Sequence, residues 1–349
     1  MKRYGLFLVP LLLLFMLAFA ACSSSETEHD HGEETELTRF LNPILISISA
    51  LDAQHVWVAE HSSVDGALHN AIWFYDGAAW NQQFECENLL SDVCALDEDH
   101  VWATGAYAIF FYDGSNWSTQ YDEHDDFVSV SAADETHVWA VGTEGGIYFF
   151  DGEEWAEEYK PEDVLFNVFA LDANHVWALS GPYTEHEAEN GTLVRQVESG
   201  SIYFYDGSSW EKQYEHEGLV SGDIWSADAD HAWASGFLGA VFAFEGSEWG
   251  EQHKARDMLL QGGSAADADH AWAVGNLNAN MVEIDLSSSE LPPLGSIFFY
   301  DGSMWTLQAE VAKPVMDVCA LDSNHVWAAG AGGNVFFYDG NSWAPIAFP

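Results

Sequence analysis

Basic residues are scarce in this chain. Lys and Arg together number 9 in 349 residues, against 57 Asp and Glu, for a formal net charge of −48. Affinity for nucleic acid rests on Lys and Arg neutralising phosphates, so the composition argues against that class of partner. It argues equally against docking on anionic lipid through a basic patch. The arginines after the leader are Arg39, Arg195 and Arg256, too few for the cluster that grips a substrate carboxylate in a sialidase-like site. No glycine-rich nucleotide loop, nucleophile elbow or HExxH-type metal motif occurs. Apolar residues still make up 48% of the chain and charged residues only 19%, which is enough material for a packed core and rules out a disordered acidic tail.

The first residues carry an address. Lys2 and Arg3 precede an apolar run over 5–19, broken only by Pro10 and followed by Ala20, Ala21 and Cys22. The run falls short of the roughly 20 apolar residues that a spanning helix needs and reads as an export signal. The stretch Leu17-Ala18-Phe19-Ala20-Ala21-Cys22-Ser23 resembles a bacterial lipoprotein signal, although Phe19 stands where Leu is usual. The resemblance implies cleavage before Cys22, lipid attachment at Cys22 and a protein held at the membrane or cell surface outside the cytoplasm. The alternative is cleavage after Ala18-Phe19-Ala20 and a secreted, soluble protein. Residues 22–42 are polar and acidic and read as a flexible tether. Its Glu28, His29, Asp30 and His31 could chelate a divalent metal, but a solvated spacer is the favoured reading.

The remainder, 43–349, is one unit in seven copies. An Asp three residues before a His, with a Trp two residues after it, recurs as Asp52, His55, Trp57; Asp97, His100, Trp102; Asp134, His137, Trp139; Asp172, His175, Trp177; Asp228, His231, Trp233; Asp267, His270, Trp272; and Asp322, His325, Trp327. Each is followed by an aromatic–acid–Gly triplet, and a Trp lies five residues after every one of those aromatics: Trp80, Trp117, Trp155, Trp210, Trp249, Trp305 and Trp343. Period-2 alternation and turn chemistry divide each unit into four short strands. Four-stranded units of this length are propeller blades, so the spacing predicts an all-β, seven-bladed β-propeller with repeats at about 44–89, 90–126, 127–164, 165–218, 219–258, 259–314 and 315–349. A solenoid is disfavoured because the last unit is as complete as the others and lacks a polar cap.

The units at 170–179 and 202–210 resemble bacterial Asp-box/BNR-type propeller repeats. They are similar also to repeats of the Ycf48-like photosystem assembly factors and of two-component-regulator propellers, within the broad WD40/YVTN-like class. The resemblance implies the fold over 44–349 and leaves function open, since such repeats serve enzymes, adhesins and scaffolds alike. The turn Asp206-Gly207-Ser208-Ser209-Trp210 is one residue tighter than the Asp-box proper.

A catalytic centre occurs once and these Asp/His/Trp sets occur seven times, so they read as structure. The Asp is expected to cap a turn, and the His and Trp to pack between blades. All length variation falls between the second and third strands, with insertions at 60–71, 180–200 and 276–295 expected as loops on one rim. Trp73, Tyr183, Trp225 and Phe237 are the candidate apolar anchors near that rim or the channel. Candidate Ca²⁺ or Zn²⁺ ligands are Asp122, His124 and Asp126, and Glu185, His186 and Glu187, although a solvated acidic rim is the favoured reading of them. No other cofactor is indicated. Cys86 and Cys94 bracket one blade link and either form a disulfide or remain thiols; Cys319 is expected as a buried thiol. The resulting expectation is a monomeric, non-enzymatic module binding a protein or glycan outside the cytoplasm. A carbohydrate-active enzyme and a cation-dependent adhesin or sensor are the alternatives.

Overall fold

The computed structural model describes residues 41–349, apart from 65–66, 123–124, 182, 188–192, 198, 220–221, 237–238, 256–257 and 278–291. The export signal, Cys22 and the tether up to residue 40 lie outside the described residues, while Leu41 is buried and Asn42 hydrogen-bonds to Ser63, so the last two residues assigned to the tether belong to the packed domain. Seven four-stranded antiparallel sheets follow one another, each built from strands in chain order, at 44–86, 90–121, 127–159, 164–216, 224–254, 258–311 and 315–346. Blade 3 shows the unit: Phe127–Asp134, His137–Gly142, Ile147–Phe150 and Trp155–Tyr159. The first strand of every blade lies beside the first strand of the next, and Val315–Asp322 lies beside Ile44–Ala50, so the ring is closed. The fold is a seven-bladed β-propeller.

Burial follows from this layering. The second strands are sandwiched between neighbouring blades, and Val101–Gly105 is buried along its whole length. Outer strands face solvent on one side, so Trp155–Tyr159 buries its Trp and exposes Ala156, Glu157 and Glu158. One face of the disc is made of two turns per blade. In the first, Asp52 accepts the backbone N–H groups of Gln54 and His55 at 2.6 and 2.9 Å. In all seven blades the His Nδ1 sits 2.8–3.0 Å from that Asp. The ring is thereby held at the surface of its own blade, 27–50% exposed, and not between blades as the sequence suggests. In the second turn, Asp206 accepts the N–H groups of Ser208 and Ser209. Gly207 follows at φ +87°, and a Cβ there would lie 2.1 Å from Asn174 of the first turn, so only glycine fits.

The seams between blades use a device that the repeat pattern does not announce. The third residue after the outer-strand Trp is Gln83, Gln120, Glu158, Gln213, Gln252 or Gln308 in blades 1–6. The ladder skips this residue in every case, as between Ile297↔Ala309 and Phe298↔Leu307. Such a β-bulge shifts the phase of the strand beyond it. The skipped side chain lies on the strand face opposite the Trp, enters the seam with the next blade and accepts indole N–H groups there. Gln252 takes Trp233 of its own blade at 3.2 Å and Trp305 of the next at 2.8 Å, and Gln308 takes Trp272 and Trp343 at 3.1 and 2.9 Å. Gln83, Gln120 and Glu158 do the same. Gln213 accepts only Trp249, and Trp177 Nε1 is left without a partner.

The ring closes without a strand shared between its ends. Asp317 of blade 7 accepts the Ile48 N–H of blade 1 at 2.8 Å, Gly332 and Gly333 donate to the carbonyls of Leu41 and Pro43, and Ile44 bridges Ala331. Phe348 packs edge-on against Trp73 and Trp80 at 5.4 and 5.3 Å.

A buried donor left without an acceptor costs on the order of 1–3 kcal/mol. Gln252→Leu orphans two indoles at once, so we expect a loss of about 2–4 kcal/mol in urea unfolding with the native fold retained. A loss below about 0.5 kcal/mol would show that the shared acceptor contributes nothing to the seam.

Candidate functional site: the axial channel and the loop-bearing face

The first strands enclose a channel of about 280 Å³ along the axis. Eight residues before each repeat His stand Ser47, Asp92, Ser129, Asn167, Asp223, Gly262 and Asp317, all but Gly262 on the channel lining. These side chains brace the ring from within. Asp92 takes the Ser47 hydroxyl at 2.7 Å and the Val130 N–H at 3.0 Å, and Asp223 takes the Gly263 N–H of the next blade at 2.6 Å. Two residues further on, Ser49, Ser131 and Ser264 accept the N–H groups of Ala95, Ala170 and Ala320 at 2.9 Å.

Protein packs around the three Asp side chains, each of which stays half-buried on the channel lining. Burial pushes Asp317 up to about 7, helped by the charge of Asp92. Burial also holds Asp223, with Asp317 opposing its ionisation, well above the carboxylate range, and it raises Asp92. No Lys or Arg lines the channel among the described residues. The channel therefore has the character of a braced acidic axle.

The opposite face from the paired Asp turns carries the variable connections. The turns between second and third strands hydrogen-bond there to the links between blades: Ala106 N–H to Leu89 O, Tyr107 N–H to Asp125 O and Thr143 N–H to Asp126 O. The 60–71 segment, expected as a loop, is instead a continuation of the blade 1 ladder. Val56–Val64 pairs with Ala67–Tyr75 out to Val64↔Ala67, because its residues keep strand alternation beyond the disc. Its base is fixed by His61, whose Nε2 meets Leu90 O at 2.7 Å and whose burial lowers its pKa to about 4. Blade 4 raises a two-stranded ribbon, Tyr183–Glu187 paired with Leu193–Val197. Blade 6 extends its strands to Leu277 and from Gly295.

Two large apolar side chains stand exposed on this face in neighbouring blades, and sequence reasoning named neither. Leu68 is 57% exposed beside the blade 1 hairpin tip. Tyr107, 56% exposed, holds φ +63° in the two-residue turn of blade 2. A bulky residue in that region is strained, and strain of this kind gathers at binding sites.

Of the four anchors expected from sequence, Trp225 is corrected. It is 1% exposed and lies edge-on to Trp305 at 6.4 Å, over Gly263, where a Cβ would come within 2.2 Å of the indole. Gly263 makes the room, so the Trp fills core. Trp73 is half-buried, donates to Glu60 and packs on Phe348. Phe237 and the side chain of Tyr183 lie outside the described residues. Among the metal candidates, Asp122 is exposed and Asp126 half-buried, while His124 and the side chains of Glu185, His186 and Glu187 lie outside them. One group of ligand-type side chains gathers among the described residues, Asp97, His100 and Glu135, on the face of paired turns. The Cys86–Cys94 disulfide does not form. All three described cysteines are free, with Cys86 donating to Asn88 O at 3.3 Å. Burial raises Cys94 to about 12 and Cys319 to about 11, so both are unreactive thiols along the channel.

No protein-family model and no curated protein matches this chain. Solved structures do. Ycf48 bound to D1 peptide matches with a TM-score of 0.59 at 14% identity, covering 85% of this chain and 94% of the other. The extracellular domain of a hybrid two-component system from B. thetaiotaomicron matches at 0.59 and 9%, over 85% of this chain and 38% of that one. BamB from Moraxella catarrhalis matches at 0.52 and 14%, over 84% and 85%. At these identities the likeness is one of fold.

The channel makes stability depend on pH. Because the folded state raises these Asp pKa values, it binds more protons than the unfolded chain between about pH 4 and 7, and stability falls as pH rises through that window. Asp317→Asn should flatten the fall in unfolding free energy between pH 5 and 8 by about 1–2 kcal/mol, allowing for the side chain's partial opening to the channel. Parallel pH profiles for the two proteins would show that Asp317 titrates normally.

Proposed function

We propose that the protein is a non-enzymatic binding scaffold, held outside the cytoplasm by lipid on Cys22, that grips a protein partner with its loop-bearing face. The observation that carries this reading is the contrast between the two faces. One face repeats an Asp-capped first turn in all seven blades and an Asp-capped second turn in six, Glu245 standing in blade 5, with each of those Asp spent on its own backbone. The other gathers every insertion and the exposed, strained Tyr107. Binding usually lies on irregular segments carried by a rigid scaffold. With a formal charge of −48, the chain favours a partner bearing Lys and Arg around an apolar contact, by steering and by complementarity. The Ycf48 neighbour, solved with a peptide bound, supports the use of this architecture to hold a segment of another protein.

Crosslinking capture from native membranes tests the reading. The wild-type chain should retain a partner that the double variant Tyr107→Ala, Leu68→Asp loses without a change in melting temperature, and retention should fall as salt is raised. Capture unaffected by the double variant would remove this face from consideration. Cys22→Ala should move the protein from the membrane fraction to the soluble fraction and abolish fatty-acid labelling; unchanged fractionation would sink the anchor.

A further inference from the structure

The axial channel has a graded lining. Each first strand runs from the link between blades, on the loop-bearing face, to the Asp turn on the other face, so a position in the repeat is also a depth along the axis. Nine residues before the repeat His, nearest the loop-bearing face, the wall carries Ile46, Val128, Phe166 and Met316, of which Val128 and Phe166 are half-buried. One residue deeper come Asp92, Asp223 and Asp317. They belong to blades 2, 5 and 7 and so stand three, two and two blades apart round the ring, which spreads their charge about the axis. Beyond the effect of burial, the charge of Asp92 raises the pKa of Asp317, and the charges of Asp317 and Asp92 raise that of Asp223. Both oxygens of each already accept backbone N–H groups: Val93 and Val130 at Asp92, Ile224 and Gly263 at Asp223, Val318 and Ile48 at Asp317. The three carboxyl groups are therefore fixed in place before any ligand arrives.

We propose that the channel receives a lysine side chain of the protein partner, inserted from the loop-bearing face, with its ammonium among Asp92, Asp223 and Asp317. This rests on the reading of that face as the binding face and names the group it grips. A wall that is apolar first and acidic beneath matches an alkyl stem that ends in a cation. No Lys or Arg lines the channel among the described residues, so the complementary charge is left to come from outside. The strongly negative chain draws such a group by steering. A volume of about 280 Å³ has room for a side chain and not for a helix or strand. Lysine suits the site better than arginine. An ammonium brings three rotatable donors to three carboxyl groups, whereas a guanidinium seeks the two-oxygen fork of one carboxylate, and both oxygens are already engaged by backbone here.

The test uses the full folded chain, ¹⁵N-labelled, and the probe acetyl-Gly-Gly-Lys-Gly-Gly-amide, with norleucine or arginine in place of Lys as controls. Saturable shifts of the Ile48, Val130 and Gly263 amide signals are expected with the Lys peptide, and binding about 10-fold weaker for either control. Besides the three Asp, the titratable groups on the lining are Cys94 and Cys319, which burial keeps as neutral thiols. An ammonium favours the ionised form of Asp317, whose pKa is about 7 in the free protein, so binding should tighten about 10-fold from pH 6 to pH 8. Asp317→Asn should remove that pH dependence. Ser91→Lys hangs an ammonium at the channel mouth from within the chain and should weaken the peptide about 10-fold, which keeps the test decisive if Asp317→Asn fails to fold. Equal binding of the Lys and norleucine peptides, channel amides that do not move, or spermidine or Ca²⁺ moving those signals where the Lys peptide does not would each overturn the proposal. Partner capture retained by Ser91→Lys but lost by Tyr107→Ala, Leu68→Asp would overturn it too, while leaving the binding face in place.

Discussion

The structure depends on one hydrogen-bonding problem solved between blades. Each seam buries two indoles, one from the second strand of a blade and one from the outer strand of the next, and an indole donates but cannot accept. Packing that many Trp side chains supplies large apolar area, yet each brings an N–H that would be costly to strand. In five of the seven seams a single Gln or Glu oxygen with two lone pairs answers both donors, delivered from the strand face opposite the outer-strand Trp. Apolar mass and polar satisfaction are therefore handled at the same point, and the blades are locked pairwise by a contact that fails if either indole shifts.

The inner and outer layers divide the remaining work. Along the axis, Asp and Ser side chains reach sideways to backbone amides of the neighbouring blade, as Asp92 does to Val130 and Asp317 to Ile48. At the periphery, Asp turns close each blade on itself. The seven Asp–His pairs belong to this second group. Each resembles part of a catalytic constellation, but the carboxylate already serves its own turn, and the ring lies on a Phe of the same blade in six of seven cases. The non-repeating parts of the surface then stand out: the blade 1 hairpin, the blade 4 ribbon and Tyr107.

The ring, its seven sectors and its two faces were legible because the Asp, His, Trp and Gly positions recur at fixed spacing. The candidate site was legible only in outline. Trp225 was misread because an aromatic at a variable position resembles a surface anchor, and its burial is decided by Gly263, 38 positions later in another blade. Tyr107 carries no unusual neighbours in sequence; its exposure follows from a two-residue turn that forces a positive φ. The Trp-x-x-Gln spacing was visible throughout, and strand alternation already puts that Gln on the face opposite its Trp. Which two indoles it serves depends on the packing of neighbouring blades, which the spacing does not state. The insertion at 60–71 was read as a loop because length variation says where chain is added and not whether the addition pairs.

Closure without a shared strand has a consequence for how such a molecule can change. Where the first and last segments of a chain interleave in one sheet, adding or losing a sector means rewriting that composite sheet. Here each sector is encoded in one uninterrupted stretch. Duplication or loss of a stretch would leave every other sector whole and shift the burden to the single place where head meets tail. That place is also where this chain departs most from its own rule, with Ile346 for glutamine and a phenyl group in place of the usual fastening.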